Sequence, residues 1–365
     1  MMRAALIQQC GAPPSVGKRD VPVPGADQVA VRVTAASITP LDVLCASGTS
    51  YFGAPATPYV PGVQGVGTLD DGTAVWFATP AGMRPGDGSM AEMAVVPRRD
   101  VVTLPDDVDH RLIAALGLSA VAALMALTWR GGMQAGEQVL VLGGGGVVGQ
   151  AAIQLALLGG ARRVIAACRS EAAQSRARAV GATAVVPLAD AGGPATQTDT
   201  TSPLADGGPA TRADTTGPVD DGGVAARADT TGPVADGGVA ALTARLTEAA
   251  DGPVDLVLDP VFGVPAAAAL RTLRPGGRLV NLGSAAGETA PFESATLRGR
   301  SLNVLGYTNN DLTAEQRADA IGVIAGHVRA GRLTVDYEQV ALAAVGEAWD
   351  RQAAGRAGRR LVVVP

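Results

Sequence analysis

Histidine, lysine, cysteine and aromatic side chains are all scarce in this 365-residue chain. His110 and His327 are its two histidines, and Cys10, Cys45 and Cys168 its three cysteines. No two of these thiols have metal-ligand spacing, and three scattered cysteines make no even-numbered disulfide framework. The expected setting is therefore a reducing cytoplasm. Lys18 stands alone as lysine, and arginine supplies the other positive side chains. With a net charge of −5 and no basic stripe, nothing invites nucleic acid. No uninterrupted apolar run reaches the length of a membrane span, and the opening residues turn polar too soon for a secretory signal. Neither a membrane nor a nucleic-acid partner is expected. Apolar residues make up 47% and charged residues 17%, the balance of a globular chain long enough for two cores.

Glycine is abundant, and its most informative cluster follows a strand. Val139–Leu142 is a short β-branched apolar run of the kind buried on both faces. Gly143 to Gly146 come next, and Gly144-x-Gly146-x-x-Gly149 fits the dinucleotide fingerprint. The first of these three is expected to make the tight turn and the second to admit a pyrophosphate. The third, Gly149, lets helix and strand pack closely. An apolar helical segment opens at Val147 and Val148 and stops at Gly159-Gly160, so its free N–H groups face the phosphates. The next strand ends at Cys168-Arg169-Ser170, where an NAD-binding sheet usually carries a carboxylate. Arg169 offers a planar cation and Ser170 a hydroxyl for a 2′-phosphate, which points to NADPH.

Residues 1 to about 118 read as short strands punctuated by proline and glycine, as in a small barrel. Val29–Val33 and much of Gly65–Leu69 alternate at period two. Near Asp109 the pattern turns helical, and from there strand and helix alternate as in a doubly wound parallel sheet, an α/β class. Its expected strands are Val139–Leu142, Val164–Ala167, Thr183–Val186, Val254–Leu258, Arg278–Leu282 and Leu302–Leu305. Loops at the carboxyl ends of such strands bind ligands, which selects Gly283 and Ser284 after the fifth and Gly306 after the sixth. Between the third and fourth, residues 189–238 hold a low-complexity tandem repeat. Asp199-Thr-Thr, Asp214-Thr-Thr and Asp229-Thr-Thr mark its copies. Its proline and lack of large alternating apolar residues point to a flexible inserted loop rather than a calcium-binding solenoid.

Taken together, several segments resemble the medium-chain dehydrogenase/reductase superfamily, most of all its zinc-free quinone oxidoreductase branch. They are Ala35–Asp42, Pro58–Gly62 with Gly65-Val-Gly67, Gly117-Leu-Ser119, the glycine fingerprint, Val254–Val261 and Leu273–Gly283. The resemblance implies a GroES-like β-domain built from residues 1–118 and 330–365, with a Rossmann domain over 119–329 between them. Zinc-dependent members carry Gly-His-Glu where this chain has Gly62-Val63-Gln64, so no metal is expected. The implied activity is hydride transfer from NADPH to a quinone or related α,β-unsaturated carbonyl, whose conjugation spreads the developing negative charge. Thr39 and Tyr51 are candidate hydrogen-bond donors. Asp42 is a candidate acid and Ser119 a cofactor contact or helix cap. An enoyl-thioester reductase using Tyr51 as proton donor, and a non-catalytic NADPH-binding relative, are the alternatives. Homodimerisation is implied by the resemblance alone.

Overall fold

A computed structural model describes residues 1–188 and 236–365. The repeat expected to be a loop lies outside the described residues, apart from its last three, which open a helix. The first third contributes β1 (Met2–Leu6), β2 (Ser15–Arg19), β3 (Gln28–Ile38), α1 (Pro40–Ser47), β4 (Gln64–Thr68), β5 (Ala74–Ala78), β6 (Met93–Pro97) and β7 (Val101–Thr103). Helix α2 (His110–Met125) leads into β8 (Gln138–Leu142), α3 (Val147–Leu158), β9 (Arg163–Cys168), α4 (Glu171–Ala179) and β10 (Ala184–Pro187). The chain resumes with α5 (Asp236–Ala249), β11 (Val254–Asp259), α6 (Gly263–Leu270), β12 (Leu273–Asn281), α7 (Ser294–Gly299) and β13 (Asn303–Gly306). It ends in α8 (Ala314–Arg329), β14 (Tyr337–Ala341), α9 (Val345–Ala353) and β15 (Arg360–Val364).

Two large sheets result. One runs β14-β15-β3-β4-β5-β7 with β6 also on β3, so the last strands complete a sheet begun by the first. The other runs β10-β9-β8-β11-β12-β13, parallel throughout. Its order reverses between β8 and β11, the switch point where open α/β sheets bind ligands. All five residues of β8 are buried. Val139 and Val141 face the layer holding α2, α3 and α8, while Leu140 and Leu142 face that of α5 and α6. Burying each such leucine contributes about 1.5–3 kcal/mol, which explains why apolar residues occupy both faces.

Helix α2 joins the two sheets. Asp109 caps it, accepting from the Arg111 and Leu112 amides. It bends at Gly117, whose φ of 30° and ψ of −128° are not helical. The domain boundary expected at 118 thus falls inside a helix, one residue past its bend. The helix runs on to Arg130 through a wider last turn, closed by Gly131 N–H on the Ala126 carbonyl at 2.9 Å. Here the sequence reading needs a correction. His110–Arg130 is long and apolar enough to cross a bilayer, an 18-residue window within it having a mean hydropathy of 2.1. In the fold 67% of that window is buried, as befits a core helix between two sheets.

His110, at the start of α2, meets Thr34 of β3, with Nδ1 and Oγ1 2.8 Å apart. Burial lowers its pKa below the usual 6.5, Asp109 acting the other way. The unfolded chain therefore takes up a proton first as pH falls, and the stability tied to neutral His110 is lost as pH drops through 6.5. Between about pH 7.5 and 5.5 the melting temperature should fall less in His110→Gln than in the parent. Parallel pH curves for the two proteins would refute this role.

Candidate active site

The glycine turn sits where β8 meets α3. Gly143 makes the reversal at φ +67°, a conformation that suits glycine, and a β-carbon there would lie 3.1 Å from a Val261 methyl. The tight turn therefore belongs to Gly143 rather than to Gly144, as the fingerprint spacing suggested. Gly144 instead packs on Ala166 of β9, where a β-carbon would lie 2.7 Å from the alanine methyl. Gly146 opens onto space, its nearest such neighbour being the Gly143 carbonyl at 3.5 Å. Gly149 presses on the turn itself, leaving no room for a side chain between α3 and Gly143–Gly144. No side chain caps α3, so the Val147, Val148 and Gly149 amides lack intrahelical partners. An exposed end of this kind fits a bridging phosphate.

The outer strand end stands beside it. Arg169 is exposed and makes no ion pair with any described residue. Ser170 is also exposed, and its hydroxyl oxygen caps α4 by accepting from Ala173 N–H at 3.2 Å. That leaves its proton free to donate. Cys168, just inside, is buried, and burial pushes its thiol pKa up against the pull of the Gly145 and Gly144 amides.

Two further loops lie at the carboxyl ends of β12 and β13. The Ala286 amide donates to the Val261 carbonyl at 2.7 Å, strapping Gly283–Gly287 over the end of β11. Ser284 donates its hydroxyl proton to Glu288. Gly306 is exposed at the end of β13, and its carbonyl accepts from Arg130 Nε at 2.7 Å. The structure places Gly144, Gly146, Val147, Val148 and Gly149 beyond the end of β8 and Gly283 and Ser284 beyond that of β12, with the end of β11 between them and Gly306 one strand further out. Sequence reasoning passed over Asp259 and Phe262. Asp259 is fully buried and holds the turn after β11 by accepting from the Val261 and Phe262 amides at 2.9 and 2.7 Å. Phe262 consequently takes φ 60° and ψ −160°, a region nearly reserved for glycine.

The candidates in the other sheet have partners of their own. Thr39 and Asp42 are bonded to each other as a capping box at the head of α1. The Thr39 hydroxyl donates to Asp42 Oδ2 at 2.6 Å, so its single proton is not available to a substrate. Asp42 is buried and also accepts from the Val63 amide at 2.9 Å. Burial raises its pKa, while its hydrogen bonds with Thr39 and Val63 and the Arg360 charge oppose the rise. Arg360 of β15 is likewise buried, donating to the Ile38 carbonyl at 3.1 Å and to Ser119 Oγ at 2.8 Å. Burial brings its pKa down to about 10. Ser119 lies two residues past the bend at Gly117, near the start of the second part of α2, and its hydroxyl oxygen receives Arg360. Tyr51 is 79% exposed and tilts against Phe52 with ring centroids 4.1 Å apart.

Gln64 stands where zinc-dependent relatives are expected to have glutamate, and all four of its hydrogen-bonding positions are used. Its Nε2 donates to Ser37 Oγ at 2.9 Å and to the Ala114 carbonyl at 3.3 Å. Its Oε1 accepts from Trp76 Nε1 at 3.2 Å and from the Leu118 amide at 2.6 Å. Burial pushes the nearby Cys45 thiol up to about 11, away from the thiolate a metal needs. Among the described residues, no three His, Cys, Asp or Glu side chains gather as a metal-binding group. These donors do not fit a catalytic zinc.

A β-domain completed by both ends of the sequence, joined to a doubly wound sheet with a phosphate-type turn, defines a two-domain dehydrogenase architecture. A family model described as "Zinc-binding dehydrogenase" matches residues 232–363. Quinone oxidoreductases of Lama guanicoe and Homo sapiens are each 34% identical over 168 residues, 43% of this chain. These matches cover 49% and 50% of the relatives, so the chain spans about half the length of the curated relatives it matches. The quinone oxidoreductase of Thermus thermophilus, solved alone and with NADPH, superposes over 100% of both chains with TM-score 0.70 and 25% identity. A mycobacterial quinone oxidoreductase does so with TM-score 0.77 at 20% identity, a likeness of fold. The chain thus resembles the quinone oxidoreductases of the medium-chain dehydrogenase/reductase superfamily in sequence and in fold.

Proposed function

We propose that the chain is a zinc-independent oxidoreductase that uses NADPH to reduce a quinone or related α,β-unsaturated carbonyl. The observation that carries this reading is the open glycine turn at the switch point, flanked by Arg169 instead of a carboxylate. Bound NADPH supplies the hydride. The chain's own part is to hold the pyrophosphate on the α3 amides and the 2′-phosphate on Arg169 and Ser170. The loops at Gly283–Ser284 and Gly306 then border the nicotinamide end. Thr39 and Asp42 are occupied with each other, so the site has little with which to polarise an isolated ketone. A conjugated acceptor, which spreads the new negative charge over its own framework, suits such a site. Of the two candidate donors in the β-domain, Thr39 spends its proton on Asp42, whereas the exposed Tyr51 hydroxyl donates to no described residue.

Stopped-flow oxidation of NADPH against quinones, enones, enoyl thioesters and simple ketones tests the reading. Turnover with the first two classes and not with simple ketones is expected. Preference for enoyl thioesters would move the assignment to that reductase class, and binding without turnover to a non-catalytic relative. Arg169→Ala should weaken NADPH binding by about 1.5–3 kcal/mol, the range for a hydrogen bond to a charged group, and leave NADH nearly unchanged. Equal losses for both would remove Arg169 from 2′-phosphate recognition.

A further inference from the structure

Behind the glycine turn lies a second arginine, and its geometry gives it a different task from Arg169. Ala173 of α4 packs so closely under Gly145 that a β-carbon there would lie 2.6 Å from the Ala173 α-carbon. Three residues along the same helix, half-buried Arg176 reaches back, and its Nε donates to the Gly145 carbonyl at 3.0 Å. Gln150 of α3 donates Nε2 to the same oxygen, also at 3.0 Å. One carbonyl is thus held by side chains from two helices.

The reason for such a clamp is electrostatic. Glycine peptides rotate easily, and a flip between Gly145 and Gly146 would aim a carbonyl oxygen at the space the α3 amides leave for phosphate. An anion there would meet the negative end of a dipole. Gly146 N–H bonds the Gly143 carbonyl at 3.0 Å, so the peptide is fixed from both sides. Arg176 makes no ion pair with a described carboxylate, unlike Arg278 with Glu137 or Arg351 with Glu338. Its charge therefore stands uncancelled behind the turn.

We propose that Arg176 is a positioning residue for the pyrophosphate: it keeps the Gly145 carbonyl turned inward and backs the α3 amides with positive charge. This rests on the dinucleotide reading above and deepens it. Arg169 distinguishes NADPH from NADH, whereas Arg176 serves the diphosphate common to both.

Calorimetric titration of the full chain with NADPH, NADH and adenosine tests the division of labour. Arg176→Ala should weaken both dinucleotides about tenfold, the scale of one partly screened charge a few ångströms away, and leave adenosine unchanged. Arg176→Lys, which keeps the charge, should recover part of the loss. The gap between parent and alanine variant should narrow at high salt, which a purely structural role would not produce. A loss confined to NADPH would make Arg176 a second 2′-phosphate ligand. A loss that includes adenosine, or one indifferent to salt, would make it a packing residue, and no loss would end the proposal. Should the parent bind neither dinucleotide, the functional reading itself fails, which is a separate result.

Discussion

Alanine at position 117 is expected to cost about 3–5 kcal/mol of stability, combining backbone strain with a broken polar network. At φ 30° and ψ −128° the backbone suits glycine, and an added methyl group would fall on the side-chain amide of Gln64. That amide is buried and joins Ser37, Trp76, Ala114 and Leu118, so it cannot retreat without leaving donors or acceptors unmatched. Equilibrium urea unfolding would report the loss. Gln64→Ala should also destabilise, and the double variant should lose less than the sum because the clash then has no partner. Strict additivity would mean that the bend and the amide are independent.

The second large effect concerns binding. Gly149→Ala should lower NADPH affinity by about 100-fold or more, equivalent to about 3 kcal/mol. Its methyl would overlap the Gly143 carbonyl and come within 2.6 Å of the Gly144 α-carbon, both of them backbone. The Gly143 carbonyl also accepts from the Gly146 amide at 3.0 Å, so it moves only at the cost of that bond. Helix α3 must tilt outward and carry its amides off the phosphate. Fluorescence titration with NADPH measures this, and parental affinity in the variant would show that the turn yields.

Much of this was legible in the sequence because it is local. The strand at Val139–Leu142 followed from a β-branched run, and the site's place followed from glycines at its end. The mistaken turn residue shows the limit. Four consecutive glycines offer more than one fit to a spacing template, and nothing in their own sequence says which of them takes positive φ. Thr39 and Asp42 carry a different kind of signal. Thr39-Pro-Leu-Asp42 is a threonine three residues before an aspartate at the head of a helix, the signature of a capping box, and could have been read so. Gln64, Ser119 and Arg360 carried no such signal. Their partners are brought together by folding alone, and an arginine in an apolar run such as Arg360–Val364 gives no hint of what it will meet.

The closing strand also sets an order of events during synthesis. Arg360 and Ile38, which it bonds, are 322 residues apart. At translation rates of about 5–20 residues per second, β3 therefore leaves the ribosome about 15–60 s before β15 exists to pair with it. The parallel sheet draws all six strands from the intervening sequence and can assemble in that interval. The nucleotide half is thus in a position to mature first, while the opposite half keeps an open edge until β15 arrives. A nascent chain halted before β15 should already take up nucleotide while β3 remains open to protease and chaperone.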